Sequence, residues 1–264
     1  MTEPIDHPGL RIEVLDDPDA VGSRVADLIM DLVERTPTAV LGLATGSTPR
    51  PAYRELARRA ESGAVSFAAV RGFLLDEYVG LDHDNPGSYH STIRRELTDL
   101  VGIADGNMRG PDVHGDLMRS CDDYEAEIRS SGGIELQLLG IGRNGHVGFN
   151  EPGTPFDRTT YLAALTDDTR SDNARFFGQP DDVPTHALTQ GPATILRARR
   201  IVMIATGPVK AAAIVAAVHG PISPSCPASL VRLHPHVILV LDRDAAAGLH
   251  GNGALVAPTL PAES

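Results

Sequence analysis

Residues 140–153 read GIGRNGHVGFNEPG and place the imidazole of His146, the carboxamide of Asn144 and the carboxylate of Glu151 among five glycines. An imidazole that titrates near neutrality can both accept and return a proton, and a neighbouring carboxylate can orient it. The first six residues also spell G-x-G-x-x-G, the dinucleotide-binding fingerprint. That fingerprint needs its third glycine to open a helix, with an acidic residue about 20 positions later. Here Gly145 leads into HVGFNEPGTPFDRTT, where two further glycines and two prolines rule out an amphipathic helix. The glycines are therefore read as backbone that approaches a ligand closely, with Phe149 and Pro152 available to exclude water. A plain surface loop with a solvated histidine is the bland alternative.

Three other segments carry chemistry-bearing residues. LATGSTP (43–49) offers Thr45, Gly46, Ser47 and Thr48 just ahead of a helix, where hydroxyls and unpaired backbone N–H groups suit a phosphate. It lacks the lysine of a Walker A loop and does not match G-x-S-x-G, which argues against a serine hydrolase. An ordinary capped turn explains this segment alone equally well. LLDEYVGL (74–81) sets Asp76 and Glu77 behind an apolar run, where a carboxylate can act as a base on a carbon-bound proton. Arg175 stands beside two phenylalanines, and Lys210 falls in the first turn of a helix, where the dipole disfavours a cation unless an anion binds nearby.

The elements that must position these residues are visible as short apolar runs. They are residues 10–15, 39–44, 70–75, 134–140, 200–206 and 236–241, alternating with helical patterns. Val21, Val25, Leu28, Ile29 and Leu32 recur at helical spacing after an Asp17-Pro18 start. Thr48 is expected to cap the next helix with Pro49 at its first position. Continuously apolar strands separated by helices indicate an α/β protein with a parallel sheet covered on both faces. Ligands in such sheets bind at the carboxyl ends of the strands. One domain over residues 1–249 is expected, with the 142–160 loop and neighbouring helices forming a mobile lid and residues 250–264 a frayed, disordered tail.

Bulk properties exclude several classes. The 264-residue chain carries a net charge of −12, unsuited to general nucleic-acid or anionic-membrane binding. Cys121 and Cys226 make neither a disulfide framework nor a zinc site. No H-E-x-x-H motif is present, and no metal site is expected. The N-terminus has no signal-peptide core, and no apolar run reaches the roughly 18 residues of a membrane span, so a cytoplasmic protein is expected.

Collinear segments across residues 10–245 resemble the glucosamine-6-phosphate deaminase family: LGLATGSTP, LLDEYVGL, SYHSTIRREL, LLGIGRNGHVGFNEPG, LTDDTRSDNARFF, PTHALTQGPATIL, ATGPVKAAAI and LHPHVILVLD. The pairing of DEYVGL with GHVGFNEP is the most specific part. The resemblance implies a modified Rossmann-like three-layer sandwich with a mostly parallel central sheet and a lid segment. It implies a cofactor-free conversion of glucosamine 6-phosphate and water to fructose 6-phosphate and ammonia. His146 would open the sugar ring, oriented by Glu151. Asp76 would move the proton from C2 to C1, and Thr45, Gly46, Ser47, Thr48, Arg175 and Lys210 would hold the phosphate. Asn144 stands where well-studied members carry Asp. An amide can orient an imidazole but cannot stabilise imidazolium by charge.

Allosterically activated members carry basic residues where this chain has Thr160 and Leu162, so activation by N-acetylglucosamine 6-phosphate is not expected. The family often forms homo-oligomers, and the sequence leaves both the oligomeric state and the gluco or galacto configuration of the substrate open. A 6-phosphogluconolactonase shares the phosphate loop but typically continues differently after its D-E and G-H segments. A non-catalytic sugar-phosphate sensor would have no reason to keep Asp76, His146 and Glu151 together.

Overall fold

The computed structural model describes residues 9–174, 177, 179, 182–249 and 254–255. The six apolar runs become β1 (Leu10–Leu15), β2 (Val40–Leu43), β3 (Arg71–Leu74), β6 (Leu136–Leu139), β9 (Ile201–Ala205) and β10 (Val237–Asp242). With β5 (Met108–Arg109) and β11 (Ala254–Leu255) they form one eight-stranded sheet in the order β11-β1-β10-β9-β6-β2-β3-β5. Every pairing in it is parallel. Ala254 and Leu255 thus pair beside Ile12 and Glu13 within the segment expected to be a frayed tail; the rest of 250–264 lies outside the described residues.

Alternate strand residues point to opposite faces, and both faces are dry. Ile201 and Met203 join one core with Tyr124 and Ile128 of α5 (Leu117–Ser130) and Ile214 and Val218 of α8 (Ala211–His219). Val202 and Ile204 join the other with Val25 and Ile29 of α1 (Pro18–Arg35), Tyr53 and Leu56 of α2 (Arg50–Ala60) and Val101 of α4 (Asp99–Val101). This is the expected three-layer sandwich.

Asp17 caps α1, its side chain accepting the Ala20 N–H at 2.8 Å. The second helix departs from expectation: it begins at Arg50, and Pro49 occupies the cap position in place of Thr48. Pro49 already adopts helical angles but offers no side-chain acceptor, so residues 46–49 form a turn ahead of the helix. Lys210 also shifts. It ends a 3₁₀ turn over Pro208–Lys210 and stands at the cap of α8, not inside its first turn.

A second sheet was not legible as such. β4 (Asp76–Tyr78), β8 (His186–Thr189) and β7 (Tyr161–Ala164) form a three-stranded antiparallel sheet in the order β4-β8-β7. Leu75 is the single residue between the two sheets. Its N–H donates to Leu43 O at 2.9 Å, extending the β2–β3 ladder, while its carbonyl accepts the Gln190 N–H at 2.8 Å. The chain runs from β2 outward through β3 to β5 on one side, and from β6 through β9 to β10 on the other, where the N-terminal β1 lies between β10 and β11. The crevice of a doubly wound sheet opens at such a reversal, here between β2 and β6.

The fully buried Phe73 packs against Tyr124 of α5 at 5.8 Å between ring centroids. Phe73→Ala is expected to cost about 3–5 kcal/mol in urea unfolding. A loss under about 1 kcal/mol would mean that this face of the sheet can collapse around the missing ring.

Candidate active site

A cavity of about 530 Å³ lies at the carboxyl ends of β2, β3, β6 and β9. Thr45, Gly46, Ser47 and Thr48 form one wall and Lys210 with Thr206 another, while Asp76 and His146 reach in from the remaining sides. Segments separated by more than 160 residues therefore meet at one point, as the sheet order requires. Asn144 and Glu151 stand behind His146 and do not line the cavity. Arg175 lies outside the described residues.

The histidine loop is built by its glycines. Gly142 N–H donates to His146 O at 2.8 Å, closing the turn. A Cβ on Gly142 would come within 2.3–2.4 Å of three ring atoms of His146, so only glycine leaves room for the imidazole here. Gly148 adopts φ +58° and passes over Asp76, where a Cβ would lie 3.1 Å from Oδ2. Of the 142–160 loop and neighbouring helices expected as a lid, the stretch around Val147–Asn150 is packed into the body. Val147 and Asn150 are fully buried, and the Asn150 amide donates to Val147 O at 2.8 Å and Gln190 O at 2.9 Å. Covering the cavity falls to α6 (Asp167–Asn173), whose Thr169 and Asn173 line it.

Glu151 is surrounded by donors. Asn144 Nδ2 donates to Oε2 at 2.8 Å and Thr169 Oγ1 to Oε1 at 2.6 Å. His146 Nδ1 stands 3.7 Å from Oε2, an ion-pair contact that is longer than a hydrogen bond. Burial alone would push the Glu151 carboxyl up, but the imidazole, the Thr169 hydroxyl and the Asn144 amide outweigh it and hold the carboxyl at about 2. Asn144 serves the imidazole from the other side as well, its Oδ1 accepting the His146 backbone N–H at 3.1 Å. The amide in place of Asp thus leaves Glu151 as the carboxylate facing the ring.

Asp76 is in the opposite condition. Only 6% exposed, it carries a carboxyl pushed well above the usual carboxylate range by burial and by the adjacent charge of Glu77. Glu77 itself points away from the cavity. Its carboxylate accepts the backbone N–H groups of Tyr78, Tyr89 and His90 at 2.8–2.9 Å and so holds the start of α3 (Tyr89–Ile93). The Asp-Glu pair divides into one site residue and one structural residue.

Sequence reasoning missed several lining groups. Arg50, Arg95 and Arg143 also border the cavity, Arg50 and Arg95 both paired with Glu96 at 2.9 and 3.6 Å. Tyr89 donates to Tyr78 Oη at 3.1 Å, and Asn173 Nδ2 donates to the same oxygen at 2.9 Å. The four-residue spacing of Thr169 and Asn173, which puts both on one helix face, was the available signal. His234 is buried away from the cavity, with Nε2 at 2.7 Å from Ala198 O. Thr160 and Leu162 belong to the body: Thr160 donates through N and Oγ1 to Glu125, and Leu162 packs beside Leu188.

The Glu151 environment has a pH consequence. Its folded pKa is depressed from 4.5, so the stability it contributes is present above pH 4.5 and lost as pH falls through about 2. Urea unfolding at pH 7 and pH 3 should therefore show a larger acid loss for the wild type than for Glu151→Gln. Equal losses would mean that the three donors do not favour the charged form.

The sequence profile described as glucosamine-6-phosphate isomerases/6-phosphogluconolactonase matches residues 17–239. A glucosamine-6-phosphate deaminase of Arthrobacter sp. (strain FB24) is 48% identical over 241 residues, 91% of this chain and 93% of that one. Its counterpart in Rhodococcus opacus (strain B4) is 50% identical with the same coverage. Among solved structures, one described as a monomeric glucosamine-6-phosphate deaminase superposes with TM-score 0.87 at 39% identity, over 89% of this chain and 98% of that one. A 6-phosphogluconolactonase from Trypanosoma brucei reaches TM-score 0.74 at 20% identity over 95% and 100% of the two chains, a likeness of fold alone. The chain belongs to the glucosamine-6-phosphate isomerase/6-phosphogluconolactonase family.

Proposed function

We propose that this protein is a glucosamine-6-phosphate deaminase, converting glucosamine 6-phosphate and water to fructose 6-phosphate and ammonia. The observation that carries the reading is the meeting of buried Asp76 with the His146–Glu151 pair in a cavity whose other walls are the 45–48 loop and Lys210. The phosphate would rest against the backbone N–H groups and hydroxyls of Thr45, Gly46, Ser47 and Thr48, with Lys210 and Arg175 supplying charge. His146 would take the proton of the anomeric hydroxyl and deliver one to the ring oxygen, opening the ring. Glu151 would hold the imidazole in place and stabilise its charged form, with Asn144 orienting both.

Asp76 would then remove the C2 proton and return it to C1. The C2 carbon is left doubly bonded to nitrogen, and water adds to that bond and releases ammonia. Burial suits Asp76 to the task, because a carboxylate with a raised pKa is a stronger base toward a carbon acid. A lactone hydrolysis needs no such base. The 48–50% identity to proteins named deaminases, against a likeness of fold alone to lactonases, favours the same reading.

Three outcomes test it. Ammonia and fructose 6-phosphate should appear from glucosamine 6-phosphate, and Asp76→Asn should lower kcat by about 10² or more. The wild-type rate should fall as pH drops through a value above the ordinary aspartate range, since the base must be ionised to act. Turnover of 6-phosphogluconolactone alone would move the protein to the lactonases, and tight binding without turnover of either would make it a sensor. N-acetylglucosamine 6-phosphate should leave the rate-versus-substrate curve hyperbolic and unshifted, because Thr160 is committed to Glu125. Activation by that compound would show an effector site built from other residues.

A further inference from the structure

The hydroxyl of Thr169 is directed with unusual completeness. Thr166 caps α6 and donates its own proton to Thr169 Oγ1 at 3.0 Å, while its oxygen accepts the Thr169 backbone N–H at 3.2 Å. A hydroxyl has one proton to give. With Thr166 donating to it, the Thr169 oxygen turns its proton on Glu151 at 2.6 Å, the short distance of a bond to a charged acceptor. One turn later Asn173 ties the same helix face to Tyr78 Oη. Tyr78 lies two residues along β4 from Asp76, so both side chains leave the strand on one face. The helix over the cavity is therefore fastened to both sides of the site, through Thr169 to the ring-opening pair and through Asn173 to the strand of the carbon base.

We propose that Thr169 is a positioning residue through which the seating of α6 over the cavity sets Glu151 against His146, with Asn173 as the hook that keeps α6 seated. The proposal rests on the deaminase reading. With α6 displaced, Glu151 loses the hydroxyl and retains the Asn144 amide, which reaches the other carboxylate oxygen. The 3.7 Å gap between Glu151 and His146 is then no longer fixed from the α6 side. Ring opening is thereby tied to a covered cavity, in which the reactive intermediates are kept from bulk water.

The test compares Thr169→Val, Thr169→Ser and Asn173→Ala in steady-state deamination. It also measures their binding of the alditol analogue of the substrate, which is already open-chain. Thr169→Val should lower kcat about tenfold, the effect of one hydrogen bond to a charged group, with KM within about twofold. Thr169→Ser should restore kcat to within about twofold, and the alditol should bind all three variants about equally. Asn173→Ala should lower kcat, and adding it to Thr169→Val should lower kcat no further than about twofold, because both act through one contact. Unchanged kcat in Thr169→Val overturns the proposal, as do failure of serine to rescue, a parallel loss of alditol binding, or multiplicative losses in the double variant. Absence of turnover in the wild type removes the deaminase reading itself, and that outcome is read before any variant is made.

Discussion

The site depends on the handover at Leu75. One residue ends the β3 edge of the parallel ladder and begins an antiparallel sheet, its N–H held by Leu43 and its carbonyl by Gln190. A second bond from the Gln190 side chain to Leu74 O at 3.0 Å and one from Tyr124 Oη at 2.6 Å fix the preceding carbonyl. With both neighbours saturated, the backbone has no freedom to carry Asp76 toward solvent, and β4 pairs it opposite Thr189. A carboxylate in an ordinary post-strand turn would swing into water and keep an ordinary pKa. Here the backbone bonds hold it in the interior.

Three carboxylates within a short distance in the chain or in space show how environment divides one chemistry into separate roles. Asp76 is buried beside another acid and is pushed up. Glu151 is half-buried among an amide, a hydroxyl and an imidazole and is held at about 2. Glu77 is buried like Asp76 but accepts three backbone N–H groups, which offset part of the burial penalty and serve α3 instead of a ligand. In the proposed reaction a base for a carbon acid and a charged partner for an imidazole would need opposite pKa shifts, and the fold shifts these two carboxyl groups in opposite directions.

A net charge of −12 and a cavity suited to an anion are compatible because the cations are local. Arg50, Arg95, Arg143 and Lys210 border the cavity with the turn at 46–49, sharing Glu96 between Arg50 and Arg95, while acids elsewhere are paired on the surface or buried in their own networks. Glu125 centres one such network. It accepts bonds from Thr160, Thr194 and Arg197 and so joins α5 to the start of β7 and to α7 (Pro192–Ile195).

Local order determined a good deal from the sequence alone. The six main strands, the start of α1 and the placing of residues 45–48, 76, 146 and 210 just beyond strand ends follow from apolar runs, cap residues and glycine placement, all of which act over a few residues. The family resemblance added the pairing of Asp76 with His146 and Glu151. What the tertiary structure alone decided was relational. The sequence shows Asp and Glu side by side at 76 and 77, and only the antiparallel pairing with β8 turns one to the cavity and the other to α3. Of the lid expected from the 142–160 loop and neighbouring helices, the stretch around Val147 and Asn150 is packed in place, with Asn150 bonded to Gln190 40 residues away, and the neighbouring helix α6 lines the cavity. Thr169 reads as an unremarkable helix residue until a carboxylate from a distant loop arrives at its hydroxyl. Short-range periodicity and capping are written in neighbouring residues, whereas burial, pKa and hydrogen-bond partners are set by groups that meet only when the sheet has closed its order.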